Sequence, residues 1–238
     1  IKRRVFSLCF LPWVRLLFVV MFGLVRVEGF AKLPNGDGSG LSTPNTGLRK
    51  VVADWIAGGA LQSTVNATYG EIKEWDVSDV TNMINVFYQF ATFNADLSKW
   101  IVSKVTSLER TFWNTQKFNS DLSIWDVSKV TSLYGTFFNN RKFNSDLSTW
   151  DVSKVTNLER TFNYAKKFNS DLSSWDVSKV VSLESTFGTA HAFTSNLSTW
   201  DVSRVTTLYG TFSQANSFNS ELSTWDVSKV TTLERTFA

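Results

Sequence analysis

Residues 150–174 read WDVSKVTNLERTFNYAKKFNSDLSS, and this 25-residue unit recurs through most of the chain. Tryptophan marks each copy at a constant spacing, at Trp75, Trp100, Trp125, Trp150, Trp175, Trp200 and Trp225. Valine, leucine and phenylalanine positions keep the same step. A fixed period of this length is typical of proteins that stack near-identical coils. One coil cannot bury its own aromatic and aliphatic side chains, whereas a stack covers each of them with its equivalent in the next coil.

Two local patterns lie within each coil. Val155, Leu158 and Phe162 share one face of a helix, and Ser153 stands where a serine N-cap would satisfy a free amide. The segment 147–152 reads as a short strand, because Trp150 and Val152 then point to the same side. The sequence therefore predicts an α/β fold, a leucine-rich-repeat-like right-handed solenoid. Each 25-residue coil would contribute one short parallel strand and one short helix.

Two polar columns accompany this core. The first contains Asp76, Asp126, Asp151, Asp176, Asp201 and Asp226, and the second contains Asn94, Asn119, Asn144, Asn169 and Asn219. Stacked carboxylates repel one another, so we expect backbone amides of the following turn to compensate them, as in an Asx-turn. The asparagines are expected to bind turn backbone. A row of Ca²⁺ ions is the alternative for the carboxylates, since hard cations take several converging oxygens.

The strings FNSDLSTWDVSKVTNLERTF at 143–162 and FNSELSTWDVSKVTTLERTF at 218–237 carry a family likeness. They resemble the 25-residue repeat of BspA-type leucine-rich-repeat-like surface proteins, a group that includes mycoplasma-type lipoproteins and many algal and protist surface proteins. The resemblance covers residues 71–238. It implies no agreed biochemical activity, but for some members it implies adhesion to host or matrix proteins.

The chain divides into four parts. Residues 1–31 are predicted to be a secretory signal peptide, with a basic start, an apolar stretch, and Gly29 and Ala31 before the cleavage point. A membrane anchor formed by residues 5–25 is the alternative. Residues 32–47 read as a linker and residues 48–70 as an N-terminal helical cap. Residues 71–238 form the solenoid, which we interpret as truncated at its C-terminal end, so that an uncapped last coil favours self-association.

Charge and cysteine content exclude several classes of function. Residues 1–31 contain five of the 24 basic and one of the 21 acidic residues, which leaves 19 basic and 20 acidic residues in the rest of the chain. The basic character therefore belongs to the leader, and no nucleic-acid partner is expected. Cys9 is the only cysteine and also lies in the leader. The mature chain then has no disulfide or thiol chemistry.

No catalytic constellation is visible. His191 is the only histidine, and it stands in a variable part of the repeat without a cysteine, zinc-ligand or serine partner. A glycosidase would need a paired acid and base, which the repeat does not show. We therefore predict no catalytic residues, no metal site and no cofactor.

The variable segment of each coil is the best candidate for a ligand-binding strip. It reads WNTQK at 113–117, FNNRK at 138–142, NYAKK at 163–167, GTAHA at 188–192 and SQANS at 213–217, between nearly identical flanks. Aromatic and basic residues of this kind favour contact with an extracellular protein or glycan, although an unconstrained solvent loop is the simpler interpretation. The candidate residues are Trp113, Lys117, Phe138, Arg141, Lys142, Tyr164, Lys166 and Lys167.

A second variable pair, which we interpret as part of the helix, begins at 109–110 and reads Glu-Arg, Tyr-Gly, Glu-Arg, Glu-Ser, Tyr-Gly and Glu-Arg in successive coils. Two N-glycosylation patterns begin at Asn66 and Asn196. Taken together, the sequence predicts a non-enzymatic, secreted or cell-surface scaffold for binding or adhesion. A structural wall or coat component is the main alternative, and a solenoid carbohydrate-active enzyme is the third. Contact with a membrane is expected only through an uncleaved N-terminal segment.

Overall fold

The computed structural model describes residues 30–35 and 47–238. The predicted signal peptide at 1–31 and linker at 32–47 therefore lie largely outside the described residues. The described part begins with α1 at Gly47–Ala57 and α2 at Gly59–Tyr69, followed by a 3₁₀ turn at Ile72–Glu74. Gly58 separates the two helices and Gly59 begins α2, and both have positive φ values, of 74° and 57°, which glycine adopts without steric cost.

Helix α1 packs against the first coil of the repeat. Leu48, Val51 and Val52 recur at helical spacing and are buried. Arg49 is buried as well, and its guanidinium donates hydrogen bonds to the backbone carbonyls of Asn85 and Tyr88. The helix is therefore fixed to the coil by both apolar packing and charge-assisted hydrogen bonds.

The predicted fold class is wrong. From residue 75 to the end of the described chain no α-helix and no strand is present, so the coils have neither the short helix nor the short parallel strand of an α/β leucine-rich-repeat-like solenoid. Each coil instead forms a single isolated parallel bridge with the next. The bridges join Asn82 to Ser107, Ser107 to Ser132, Ser132 to Asn157, Asn157 to Ser182, Ser182 to Thr207 and Thr207 to Thr232.

The expected helix is replaced by turns that bind to the neighbouring coil. Arg110 has a φ of 51°, far from the helical value of about −63°. Its amide donates to the carbonyl of Tyr134 in the next coil at 2.8 Å, whereas the amide of Thr111 closes a tight turn on Leu108 at 3.1 Å. Amides thus alternate between the next coil and the local turn, and no run of i to i−4 hydrogen bonds forms.

The expected strand is also a pair of turns. The amide of Trp150 donates to the carbonyl of Leu147 at 3.1 Å, and that of Val155 donates to Val152 at 2.8 Å. Ser153 is not an N-cap, because no helix follows it in the described chain, and its amide donates to the carboxylate of Asp151 at 3.0 Å. Trp150 and Val152 are both buried, as the sequence predicts, although neither belongs to a strand.

Equivalent side chains of successive coils stack directly on one another. Phe112 and Phe137 lie 5.6 Å apart between ring centroids with planes 5° apart, and Trp150 and Trp175 lie 6.5 Å apart with parallel planes. Each indole from Trp100 to Trp225 also donates a hydrogen bond to the backbone carbonyl 28 residues earlier in the chain, as Trp150 does to Leu122 at 3.0 Å. The aromatic columns therefore join adjacent coils through both ring packing and hydrogen bonds.

A buried threonine column ties the coils further. The hydroxyl of Thr161 lies 2.9 Å from the carbonyl of Leu133 in the preceding coil and 2.7 Å from that of Leu158 in its own coil. Leu233 and Phe237, in the last described coil, are exposed. Self-association through that coil stays a prediction.

Candidate functional site

The variable segments stack along one edge of the protein. The amide of Asn114 donates to the carbonyl of Phe138 at 2.7 Å, that of Asn139 to Asn163 at 2.8 Å, and that of Tyr164 to Gly188 at 2.7 Å. Residues 113–117, 138–142, 163–167, 188–192 and 213–217 thus lie one over the next, and we call this surface the variable edge. The structure therefore brings the predicted aromatic and basic residues of three successive coils together.

The backbone is left-handed at two sets of equivalent residues in or next to the variable edge. One column contains Asn85, Arg110, Gly135, Arg160, Ser185, Gly210 and Arg235, and the other contains Gln89, Asn114, Asn139, Tyr164, Thr189 and Gln214. All have φ between 51° and 64°. Glycine and asparagine tolerate this conformation best, and their recurrence in the two columns is the sequence signal that could have revealed it.

Aromatic side chains form a continuous stack on the variable edge and beside it. Trp113 lies against Phe138 with centroids 3.9 Å apart and planes 13° apart. Tyr88 covers Trp113 from the other side at 6.2 Å. Tyr164 meets Phe138 edge-on at 5.8 Å and is 44% exposed, whereas Trp113 and Phe138 are half-buried. The faces of Trp113 and Phe138 are therefore largely used within the protein, and Tyr164 offers the most accessible ring of the predicted set.

The second variable pair contributes residues that the sequence did not place on this surface. The Arg110 guanidinium lies over the ring of Tyr134 at 4.8 Å and over that of Trp113 at 5.6 Å. The hydroxyl of Tyr134 accepts hydrogen bonds from Arg110 at 3.3 Å and from Arg160 at 3.2 Å. Tyr134 and the two arginines belong to three successive coils, so no local pattern could have shown these hydrogen bonds.

A carboxylate pair lies next to this cluster. Arg160 donates to the Glu184 carboxylate at 2.8 Å, and a second carboxylate, that of Glu159, lies 3.5 Å from the same guanidinium. Burial raises the pKa of Glu159, and the negative charge of Glu184 raises it further. Arg160 is therefore neutralised by its neighbours, unlike the cations of the variable edge.

The cations of the variable edge form no ion pairs with other described residues. Lys117, Arg141, Lys142 and Lys167 are exposed and Lys166 is half-buried. Within residues 30–35 and 47–238, none of the five forms an ion pair. Segments 113–117, 138–142 and 163–167 contain no acidic residue. Arg141 donates a hydrogen bond to the amide oxygen of Asn139 at 2.9 Å.

The aspartate and asparagine columns have the structural roles that the sequence predicts. Asp151 accepts the Ser153 amide at 3.0 Å, and hydrogen bonds from the hydroxyl and amide of Ser153 lower the pKa of Asp151. Asn119 accepts the amide of Asn144 in the next coil at 2.7 Å, which links the backbones of adjacent coils. In the described part of the chain, no group of His, Cys, Asp or Glu side chains is arranged to hold a metal ion.

Three further residues singled out by the sequence are His191, Asn66 and Asn196. His191 is half-buried on the variable edge. Asn66 lies within α2, where its side-chain oxygen accepts from the Trp55 indole at 3.1 Å. Asn196 accepts the Ser198 amide at 2.9 Å and the Ser220 hydroxyl at 3.1 Å. Glycosylation at Asn66 and Asn196 and the absence of catalysis stay predictions. Among the described helices, none combines the length and apolar character needed to cross a membrane.

The stacked coils and their variable edge define a repeat protein whose neighbouring units share one core. The chain belongs to the family described as Mycoplasma protein of unknown function, DUF285, whose model matches residues 59–155 and 131–238. No curated protein and no solved structure matches the chain. The prediction of a repeat family is therefore confirmed at this level, and the BspA-type assignment stays a prediction.

Proposed function

We propose that this protein is a non-catalytic binding scaffold, secreted or held at the cell surface, that presents the variable edge to an extracellular protein or glycan. The resemblance of its repeat to BspA-type surface proteins supports this proposal, since some members of that group are implicated in adhesion.

One observation carries the proposal. Variation between coils is concentrated on the variable edge, where Tyr164 is 44% exposed and five cations lack ion pairs with described residues. Elsewhere the same core side chains recur in coil after coil. Exposed aromatic and cationic side chains are enriched where proteins bind partners. The residues that form the core are thus constant between coils, whereas the residues available to contact a partner vary.

The test uses the full chain on an array of immobilised extracellular-matrix proteins and glycans. Tyr164→Ala removes the most exposed ring of the predicted set, and Ile124→Ala is the matched control, since Ile124 is 67% exposed in a different column. We expect Tyr164→Ala to weaken binding about tenfold. Ile124→Ala should leave binding unchanged, and both variants should melt like the wild type.

Binding to nothing on the array, or equal binding by Tyr164→Ala and the wild type, would overturn the proposal. A structural coat component would be favoured instead if the wild-type protein polymerises or remains with the cell wall and neither substitution changes this behaviour. Turnover of a glycan on the array would favour the carbohydrate-active enzyme.

A further inference from the structure

We propose that the variable edge binds an anionic polysaccharide, with its sulfate or carboxylate groups held by a row of cations across three successive coils. This inference rests on the proposed function and specifies its partner. The row contains Lys117, Arg141, Lys142, Lys166 and Lys167.

The first argument is the uncompensated charge of the edge. No acidic residue occurs in the three segments, and in the described chain no carboxylate forms an ion pair with these cations. The positive potentials of neighbouring cations add within a Debye length of about 10 Å at 0.1 M salt. Such a surface concentrates anions and accelerates their association.

A second lysine column shows what a compensated row looks like. Lys129, Lys154 and Lys179 also recur once per coil and are exposed. These lysines lie near the aspartate column. Hydrogen bonds from Ser153 lower the pKa of Asp151 most, and the positive charges of Lys154 and Lys179 lower the pKa of Asp151 further. The variable edge carries an equal set of three lysines, Lys117, Lys142 and Lys167. Within the described residues neither set forms an ion pair, but the charges of Lys129, Lys154 and Lys179 lower the pKa values of the aspartates beside them.

The second argument is the constant spacing of the row. Lys117, Lys142 and Lys167 each precede a buried phenylalanine. These phenylalanine rings follow one another at 6.1 Å from Phe118 to Phe143 and at 5.9 Å from Phe143 to Phe168. The backbones of Lys117, Lys142 and Lys167 are therefore separated by one coil each. A polysaccharide also presents its anionic groups at regular intervals along an extended chain, so a regularly spaced row of cations can contact several of these groups at once.

The aromatic residues distinguish a glycan from a nucleic acid. Single-stranded nucleic acids bind on aromatic faces that are free to stack with bases. Here Trp113 lies between Tyr88 and Phe138, which leaves little free face on either side. Tyr164 keeps an exposed ring and hydroxyl, and can contact both the C–H face and the hydroxyl groups of a sugar.

The experiment measures affinity for heparin as a sulfated probe and for polygalacturonate as a carboxylated one. Dextran serves as the uncharged control, and polyglutamate and single-stranded DNA as the other polyanions. The full chain is compared with the triple variant Lys117→Gln, Lys142→Gln, Lys167→Gln. The matched control is the triple variant Lys129→Gln, Lys154→Gln, Lys179→Gln, which removes the same charge from the compensated column.

We expect the wild type to bind heparin or polygalacturonate, with dextran unbound, and the better of the two identifies the anionic group. The variable-edge triple variant should bind about tenfold or more weakly. The slope of its log K against log salt concentration should become shallower by about 2 to 3. The control triple variant should bind within about twofold of the wild type. All three proteins should melt alike, because the six lysines are exposed.

Three outcomes would overturn the inference: equal losses in the two triple variants, binding to polyglutamate or DNA as tight as to either glycan, or no binding to either anionic glycan. If neither glycan binds but Tyr164→Ala weakens binding to a matrix protein, the proposed scaffold function stands and only the polysaccharide is wrong. If no ligand of any kind binds, both fail.

Discussion

The indole of Trp113 occupies the space that a side chain at Gly135 would need. A Cβ added to Gly135 would lie 2.5 Å from two atoms of that ring, and Gly135 has a φ of 57°. Arg110, Arg160 and Ser185 adopt the same left-handed conformation at equivalent positions of other coils. The conformation alone therefore does not require glycine, and the neighbouring indole supplies the additional constraint.

Gly135→Ala is expected to destabilise the protein by about 3 kcal/mol, from left-handed strain and from the clash with Trp113. Gly210→Ala is the control, because Gly210 has a φ of 61° and its added Cβ would meet only the Ser185 hydroxyl, at 3.1 Å. It should cost about 1 kcal/mol. Urea unfolding followed by circular dichroism measures both. In a Trp113→Ala background the cost of Gly135→Ala should fall to about 1 kcal/mol. An undiminished cost would show that Trp113 is not the cause.

Thr161→Val replaces a hydroxyl by a methyl group of similar size. Its hydroxyl is shared between the carbonyls of Leu133 and Leu158, which also accept backbone amides and so keep a partner. We expect a loss of about 1 kcal/mol in the free energy of unfolding. Thr156→Val, at an exposed position, should change it by less than about 0.5 kcal/mol. Equal effects would argue against a stabilising role for the buried threonine column.

Trp175→Phe removes the hydrogen bond from the indole to Leu147, at 3.0 Å, and leaves a void between Trp150 and Trp200. We expect a loss of about 2 to 3 kcal/mol in thermal or urea unfolding. Trp113→Phe keeps a ring against Phe138 at a half-buried position, so it should cost less than about 1 kcal/mol. The opposite ranking would mean that the tryptophan column does not hold the coils together.

The aspartate column predicts a loss of stability in acid. Hydrogen bonds from Ser128, Ser153 and Ser178 lower the pKa values of Asp126, Asp151 and Asp176 in the folded state. Their contribution is therefore complete above the unfolded value of about 4 and is lost as the pH falls through the lower folded values. We expect the melting temperature to be nearly constant from about pH 7 to 5 and to decrease below about pH 4.

Replacing these three aspartates with asparagine tests the origin of the acid transition. The amide oxygen accepts the same turn amide without titrating, as Asn196 does from Ser198 at 2.9 Å. The asparagine variant should show a weaker decrease below about pH 4. The matching alanine variant should be less stable at every pH. An unchanged acid transition in the asparagine variant would assign it to other groups.

The periodicity allowed the inward-facing residues and the variable edge to be identified, because side chains that recur once per repeat must occupy equivalent places in successive coils. It also identified the turn-binding roles of Asp151 and Asn119, since these side chains act on amides nearby or one coil away. The prediction of a short helix in each coil was wrong for a specific reason. Val155, Leu158 and Phe162 have the spacing of one face of a helix. A series of turns with the same spacing also directs these three side chains into the core.

The sequence by itself determined which side chains are equivalent, which are buried and where the coils differ, because repetition exposes these properties without knowledge of the backbone. Only the tertiary structure decided where the amides donate, that Arg110 and Gly135 are left-handed, and that Tyr134 accepts from Arg110 and Arg160. These features depend on the neighbouring coil. An amide such as that of Arg110 finds its acceptor in the next coil, at Tyr134, and that acceptor is within reach only once the coils are stacked.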